Sequence, residues 1–356
     1  MSVLIPTASR PSRASRRARA AAISGAVLLF AVLGVGCASD GPDDSLRDRG
    51  GFAAGGDSAG GGLPAGGNAS AGGSINAMWT TNAGKYVLSL GSTYLELDPA
   101  NGARMVALRV GGAAGPNLLA DSAVTGQDDN WGSTFWPSPQ NWAWPPTEDG
   151  SINAVNSLPY VAVLEGDTLT LTSKVNSTPP TVSVIKKFSA DLAKQAIIVE
   201  YTMTNGGAVP VVVAPWEITR VAAGGITFYA DAGDSSVQIA PTTLVDGVRW
   251  YQHEPSTDQP PKFFSDGRGW IAHAAGELLL IKSFPDITPA ESPTGEAEIE
   301  VYADPKYVEV ENQGAMQTLE PGASLHWTVR WYARKLAVPA VVGSADLVAY
   351  VQNQIK

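Results

Sequence analysis

The sequence predicts an all-β protein, an antiparallel sandwich or barrel followed by one short helix. Between residues 76 and 336 the chain offers many short apolar or alternating runs, and Gly, Pro, Asn and Asp punctuate them. Helical periodicity is almost absent from this stretch, and we detect no internal repeat. A length of about 260 residues fits one large all-β domain.

The predicted strands share a length of three to eight residues and a high content of Val, Ile, Leu, Thr and Tyr. They cover residues 86–90, 93–97, 104–110, 160–164, 168–175, 182–188, 197–204, 209–214, 226–229, 237–239, 250–252, 269–273, 278–282, 298–302, 307–311 and 325–332.

The last segment, residues 337–356, has a different pattern. Ser344 is a suitable N-cap, and Leu347, Val348, Val351 and Ile355 then share one helical face. We therefore expect a C-terminal extension with a short helix packed on the sandwich.

The N-terminal part is typical of an exported protein. Residues 1–19 carry five arginines and no acid, and residues 20–35 are apolar, as in a secretory signal. The signal ends at Cys37, the only cysteine, which resembles a bacterial lipoprotein processing site. Ordinary cleavage, with Cys37 left as a free thiol, is the alternative. Residues 38–75 are dominated by Gly, Ala, Ser and Asp and predict a disordered tether between a lipid anchor and the domain at residues 76–336.

Charge narrows the class of partner. The chain has a net charge of −10, which becomes −15 once the signal removes five arginines and no acid. Such an acidic surface repels phosphate backbones, so nucleic acid is not an expected partner. A neutral ligand and a membrane contact through the lipid anchor remain compatible. We expect a monomer in the cell envelope, at the outer membrane and exposed at the surface.

Tryptophans are concentrated in one run. Four of the ten lie within fourteen residues, and four prolines, two inside this stretch and two directly after it, predict a loop rather than a helix or a central strand. Aromatic rings with neighbouring polar groups are typical of small-molecule sites, and sugar rings stack on indole. The alternative is that the loop caps the core with aromatic surface. The predicted ligand-binding tryptophans of this run are Trp131, Trp136, Trp142 and Trp144.

Two other segments carry candidate chemistry. In an extended strand Tyr307, Glu309 and Glu311 point to one face, whereas the two intervening valines point to the other. On an outer face this pattern is a solvated acidic stripe. On a cleft it is a hydrogen-bonding floor, and crowding would raise the pKa of one carboxyl group toward that of a general base. The second segment is an apolar strand that ends in Trp216, Glu217 and Arg220.

Several segments, in their order along the chain, resemble the galactose mutarotase-like superfamily. They are residues 95–108 with 116–119, residues 187–188 with 199–205, and residues 311–313 with 319–324. The runs that begin at Trp136 and Ala214 resemble a branch of that superfamily whose function is not known, here in lipoprotein form. The resemblance covers about residues 80–336. It implies a large antiparallel β-supersandwich with a sugar-sized cleft.

The resemblance also implies roles. In the superfamily's epimerases a late-strand glutamate accepts the proton of the anomeric hydroxyl group, and a histidine donates to the ring oxygen. Glu309 or Glu311 would be the base, and His253 is the histidine that we consider for the acid. Where the epimerases carry a histidine, this chain has Trp216 and its neighbours, so Glu217 with Arg220, or Lys262 and Asp266, could substitute for it.

Three functions follow from these observations. The first is an exported, lipid-anchored carbohydrate-binding protein, with Trp131, Trp136, Trp142, Trp144, Trp216, Glu217, Arg220, Lys262 and Asp266 as binding residues. The second is an active aldose 1-epimerase with catalytic residues Glu309, Glu311 and His253. The third is a structural or protein-interaction role. No metal-ligand spacing or phosphate loop is found, so we expect neither a metal nor a cofactor.

Overall fold

The computed structural model describes residues 76–127, 130–140, 153–233, 242–254, 262–337 and 339–356. These residues all belong to one contact unit, Gly60–Lys356. The predicted signal, Cys37, the tether, the strand at 237–239, and the candidate residues Trp142 and Trp144 lie outside the described residues.

Short strands make up most of the described chain. In chain order they are β1 (Ala77–Asn82), β2 (Lys85–Leu90), β3 (Thr93–Asp98), β4 (Arg104–Val110), β5 (Ser133–Ser138), β6 (Val161–Glu165), β7 (Thr168–Thr172), β8 (Val182–Asp191), β9 (Ala196–Asn205), β10 (Val211–Ala222), β11 (Ile226–Ala230), β12 (Thr243–Val245), β13 (Val248–Gln252), β14 (Lys262–Ser265), β15 (Trp270–Ala275), β16 (Leu278–Ser283), β17 (Ile299–Ala303), β18 (Tyr307–Gln313), β19 (Gln317–Leu319) and β20 (Ser324–Lys335). The helices are α1 (Ser122–Thr125), α2 (Asn153–Asn156) and α3 (Ala345–Ile355), with a 3-10 turn at Pro289–Glu291.

The strands form two antiparallel sheets of ten strands each. The first sheet has the order β1-β2-β3-β4-β5-β10-β18-β17-β14, and β19 pairs with one end of β10. The second has the order β12-β13-β11-β15-β16-β20-β9-β8-β7-β6. Residues that are distant in the sequence thus become neighbours at the centre of the first sheet, where β5, β10 and β18 are adjacent.

The main core lies between the sheets and draws on both. Leu95 and Val308 of the first sheet and Val199 and Leu280 of the second are all fully buried in it. Alternation along each strand therefore places every second side chain in this core and the others on an outer face. The predicted all-β sandwich is confirmed.

The C-terminal helix also agrees with the prediction. The Ser344 hydroxyl accepts a hydrogen bond from the Leu347 backbone N–H at 3.2 Å and caps α3. Leu347 and Val351 are buried in a second apolar cluster on the outer face of the second sheet, against Phe228 and Trp250. None of the helices in the described ranges has the length and apolar character needed to span a membrane.

The tryptophan run differs from its prediction. It was expected to be a loop because of its prolines, but Ser133–Ser138 is the buried strand β5, between β4 and β10. Pro137 lies directly opposite Pro215 of β10, and neither residue has an N–H that the ladder would need to satisfy. On its other side β5 pairs with β4 near the start of the strand, at Ser133, away from Pro137. Pro137 therefore removes no ladder hydrogen bond.

Candidate functional site

The outer face of the first sheet carries a set of indole, carboxyl and basic side chains on five adjacent strands, which we call the polar face. Strand pairing arranges them in rows across the sheet. The rows are Lys262–Tyr302–Glu309–Arg220, then Phe264–Glu300–Glu311–Ile218–Thr134, then Gln313–Trp216–Trp136.

Alternation explains why these residues share the face. Val308 and Val310 of β18 are fully buried in the main core, so Tyr307, Glu309 and Glu311 project to the opposite side. This is the arrangement that the sequence predicted for the strand. The same rule applies to β10, where Val221 lies in the core while Trp216 and Arg220 lie on the polar face.

Glu311 is at the centre of the polar face and is fully buried. Its Oε2 accepts hydrogen bonds from Trp216 Nε1 at 2.7 Å and from Lys262 Nζ at 3.1 Å. Its Oε1 is buried and has no hydrogen-bond partner among the described residues. A buried carboxylate oxygen without a partner is energetically costly, so this atom is a natural contact point for a ligand donor.

Lys262 connects several carboxyl groups. Its Nζ lies 2.6 Å from Glu300 Oε2, donates to Gln140 Oε1 at 3.0 Å, and lies 4.8 Å from the centre of the Trp216 ring. Burial alone would lower the pKa of this lysine, but the carboxylates of Glu311, Glu300 and Glu309 hold it above its usual value. Lys262 therefore keeps its positive charge on this face.

Arg220 binds Glu309, the other glutamate that the sequence suggested as a catalytic base. Its Nε donates to Glu309 Oε1 at 2.8 Å, its Nη1 to Thr134 Oγ1 at 2.8 Å, and its Nη2 to Asn130 Oδ1 at 3.4 Å. Burial raises the pKa of Glu309, with Arg220 opposing this shift and Glu311 adding to it.

Glu300 and its amide partners complete the polar face. Glu300 accepts hydrogen bonds from Gln140 Nε2 and Gln313 Nε2, both at 2.6 Å, and burial raises its pKa to about 8 despite Lys262. Glu296 accepts from Ser138 Oγ and from the Gln140 backbone N–H. Sequence reasoning missed these groups. The signal was the alternation of Glu300 and Tyr302 with the core residues Ile299 and Val301.

The polar face is largely covered in this structure. Trp136 and Trp216 are only 4% and 5% exposed, and Glu311 is not exposed at all. The side chains of Lys262 and Glu309 are 20% and 12% exposed. Access to the polar face therefore lies at the row that contains Lys262 and Glu309.

Glu217 does not belong to this face. Because it follows Trp216 in an extended strand, it points between the sheets, where Tyr201 Oη and Trp331 Nε1 donate to its Oε1 and Lys282 Nζ lies 3.3 Å from its Oε2. Glu217 and Arg220 therefore lie on opposite faces of β10. They cannot act together in place of the epimerases' histidine, as the sequence suggested.

The remaining candidates make other contacts. His253 is buried beyond the end of β13 and accepts a hydrogen bond from the Gly224 N–H at its Nδ1, and burial lowers its pKa. Among the described residues no hydrogen bond or ion pair links His253 to Glu309 or Glu311. Trp131 packs against Arg104, whose guanidinium carbon lies 4.5 Å from the ring centre. Asp266 follows β14 and accepts the Ala232 N–H through its backbone oxygen.

Comparisons with known proteins agree with this geometry at the level of the fold. No protein-family model and no curated protein matches the chain. Among solved structures, a galactose mutarotase-like protein from Lactobacillus casei is 10% identical with a TM-score of 0.50, and the match covers 73% of this chain and 100% of that one. The protein has a galactose mutarotase-like fold.

Two further solved structures match this chain with lower TM-scores. A putative aldose 1-epimerase from Escherichia coli K12 is 13% identical with a TM-score of 0.45, and the match covers 74% of this chain and 100% of that one. A TPR-domain containing protein from Parabacteroides distasonis is 12% identical with a TM-score of 0.45 over 72% of this chain. This chain spans 49% of the length of that protein.

Proposed function

We propose that this protein is an exported, lipid-anchored carbohydrate-binding protein whose ligand site is the polar face. One observation carries the proposal: Trp216 and the distant pair Glu309 and Glu311 converge on one face, where Glu311 Oε1 is buried without a partner among the described residues. A sugar hydroxyl group can supply the missing donor. The mutarotase-like fold supports a sugar as the ligand.

Binding rather than catalysis fits the chemistry of the polar face best. The carboxylate of Glu311 is held by an indole N–H and by an ammonium group, a state suited to accepting hydrogen bonds from a ligand. Of the histidines, His326 is exposed on the second sheet, His273 is buried beside Thr227, and His253 binds backbone. None of them offers a general acid on the polar face.

Sugar titration tests this proposal. The domain is titrated with neutral mono- and oligosaccharides while tryptophan fluorescence and binding heat are recorded. We expect saturable binding that Glu309→Gln weakens at least about tenfold, which corresponds to about 1.4 kcal/mol. Glu200→Gln, a change in an exposed ion pair of the second sheet, is the matched control and should leave binding unchanged. No response to any sugar in a broad panel would reject the proposal.

An active aldose 1-epimerase is a second candidate, favoured by the raised pKa of Glu309. An NMR anomer-exchange assay decides between the two. Exchange that the protein accelerates, and that Glu309→Gln abolishes, would support catalysis, whereas exchange at the spontaneous rate would leave only binding.

Lipid anchoring at Cys37 is the other part of the proposal and rests on the sequence of the N-terminal segment. Cys37→Ala should move the full chain from the membrane fraction to the soluble fraction. If the variant stays in the membrane fraction, the protein is not held through Cys37.

A further inference from the structure

Two phenol rings lie beside the partly exposed carboxyl group of Glu309, and one of them, that of Tyr307, is almost fully buried. Tyr302 lies directly opposite Glu309 in the β17–β18 ladder, and Tyr307 precedes Glu309 on the same face. The two tyrosine rings have centroids 6.1 Å apart. We call Tyr302, Tyr307 and Glu309 the tyrosine–glutamate corner.

Most nitrogen donors of this part of the face already have acceptors in the protein. All three side-chain nitrogens of Arg220 donate to oxygens of the protein, and the Lys262 ammonium group is in contact with Glu300, Glu311 and Gln140. Trp216 Nε1 donates to Glu311. A ligand that only accepts hydrogen bonds, such as a carboxylate or a phosphate, would therefore compete with protein oxygens for most of the nitrogen donors in this part of the described chain.

Acceptor atoms, in contrast, remain available. No donor in the described part of the chain reaches Glu311 Oε1 or Gln313 Oε1, and both side chains are fully buried. Arg220 occupies one oxygen of Glu309, and no described residue donates to the other. The polar face therefore favours ligands that donate hydrogen bonds. Its accessible acceptor is the second carboxylate oxygen of Glu309.

The corner also has a negative potential. Burial and the nearby carboxylates of Asp304 and Glu309 raise the pKa of Tyr302, and burial with Glu309 does the same for Tyr307. Among the described residues of the polar face, the carboxyl groups of Glu296, Glu309 and Glu311, even without Glu300, outnumber the two cations, Arg220 and Lys262. Aromatic rings beside a carboxylate are a recognised environment for an ammonium group.

We propose that the ligand is an amino sugar, a saccharide whose free ammonium group binds at the tyrosine–glutamate corner. This inference rests on the proposed carbohydrate-binding function and adds the substrate class. The ammonium group supplies three donors and a positive charge to the Glu309 oxygen that Arg220 does not occupy, while the hydroxyl groups of the same ring donate to the acceptors behind Lys262.

The test compares sugars that differ in one substituent. Glucosamine, N-acetylglucosamine, glucose and glucuronate, with their galactose counterparts, are titrated calorimetrically at a pH of about 6, where the amine is protonated. We expect each amino sugar to bind at least about tenfold tighter than its hydroxyl parent. Acetylation should remove this preference, the uronates should bind weakest, and added salt should reduce the preference.

Two variants locate the preference. Glu309→Gln should bring the ratio of amino-sugar to neutral-sugar affinity to about one. Because this change leaves the buried Arg220 without its carboxylate, Tyr302→Leu serves as a second variant that does not disturb Arg220, and it should also lower the ratio. Glu200→Gln should leave the ratio unchanged.

The outcomes are distinguishable. Equal affinity for amino and neutral sugars, or a preference that survives both Glu309→Gln and Tyr302→Leu, would overturn the amino-sugar assignment and leave carbohydrate binding intact. Absence of binding by every sugar would overturn both.

Discussion

Glu217 of the first sheet and Lys282 of the second form an ion pair across the interior of the sandwich, with 3.3 Å between Oε2 and Nζ. Both side chains are fully buried. Lys282 also donates to Thr219 Oγ1 at 3.0 Å and to the Val310 backbone oxygen at 2.9 Å. The pair thus connects β16 to β10 and β18, two of the five strands that carry the polar face.

Breaking this pair should destabilise the fold strongly. Lys282→Met leaves Glu217 buried without its counter-charge and should lower the free energy of unfolding by about 3–5 kcal/mol. The double variant Glu217→Gln, Lys282→Met should lose less than the single variant, because no unpaired charge remains. Urea unfolding followed by circular dichroism measures both.

The matched control is Lys187→Met. Lys187 pairs with Glu200, and both side chains are about half exposed. Its effect should stay below about 1 kcal/mol. If Lys282→Met and Lys187→Met have equal effects, the buried pair does not stabilise the sandwich as argued.

Gly102 should tolerate no side chain. It has a φ of +64°, and a Cβ there would lie 1.7 Å from the Asn156 backbone oxygen. Gly84 has a φ of +81° with nothing within 4 Å of its Cβ position, so it isolates the effect of conformation alone. We expect Gly84→Ala to cost about 1–2 kcal/mol of stability and Gly102→Ala clearly more, measured by thermal and urea unfolding. Equal losses would mean that α2 does not pack against Gly102.

Glu298 should make stability depend on pH. Burial raises its pKa from 4.5 to about 8, with Asp286 adding to the shift. The folded protein therefore keeps a proton that the unfolded chain releases between these two values. The resulting stabilisation is complete below pH 4.5 and is lost as the pH rises toward about 8.

Replacing this carboxyl group tests that sign. Relative to Glu298→Gln, the native protein should lose up to about 1.4 kcal/mol of unfolding free energy per pH unit across the window. Urea unfolding at a series of pH values gives the difference curve. Parallel curves for the two proteins would show that Glu298 ionises normally.

Much of the fold could be predicted from the sequence, because its patterns are local. Strand periodicity placed Val308 and Val310 in the core and Glu309 and Glu311 on the opposite face. Capping and helical spacing identified α3 from Ser344. These features depend on neighbouring residues only, so one sequence contains them.

The composition of the polar face was less predictable from the sequence than the strands were, because pairing between distant strands determines it. Proline chemistry predicted a loop at Pro137, whereas its position opposite Pro215 makes a strand possible. The predicted strand at 209–214 continues to Ala222, and this extension places Glu217 between the sheets. Glu300 belongs to the polar face because β17 pairs with β18 and places it opposite Glu311.

The most direct measurement of the central claim is the fluorine NMR spectrum of the protein labelled with 5-fluorotryptophan, recorded with and without saturating saccharide. Single Trp→Phe variants assign the resonances. We predict that the resonances of Trp216 and Trp136 shift, while those of Trp331 in the main core and Trp250 beneath α3 do not. Shifts confined to Trp331 or Trp250, or an unchanged spectrum, would contradict a sugar site on the polar face.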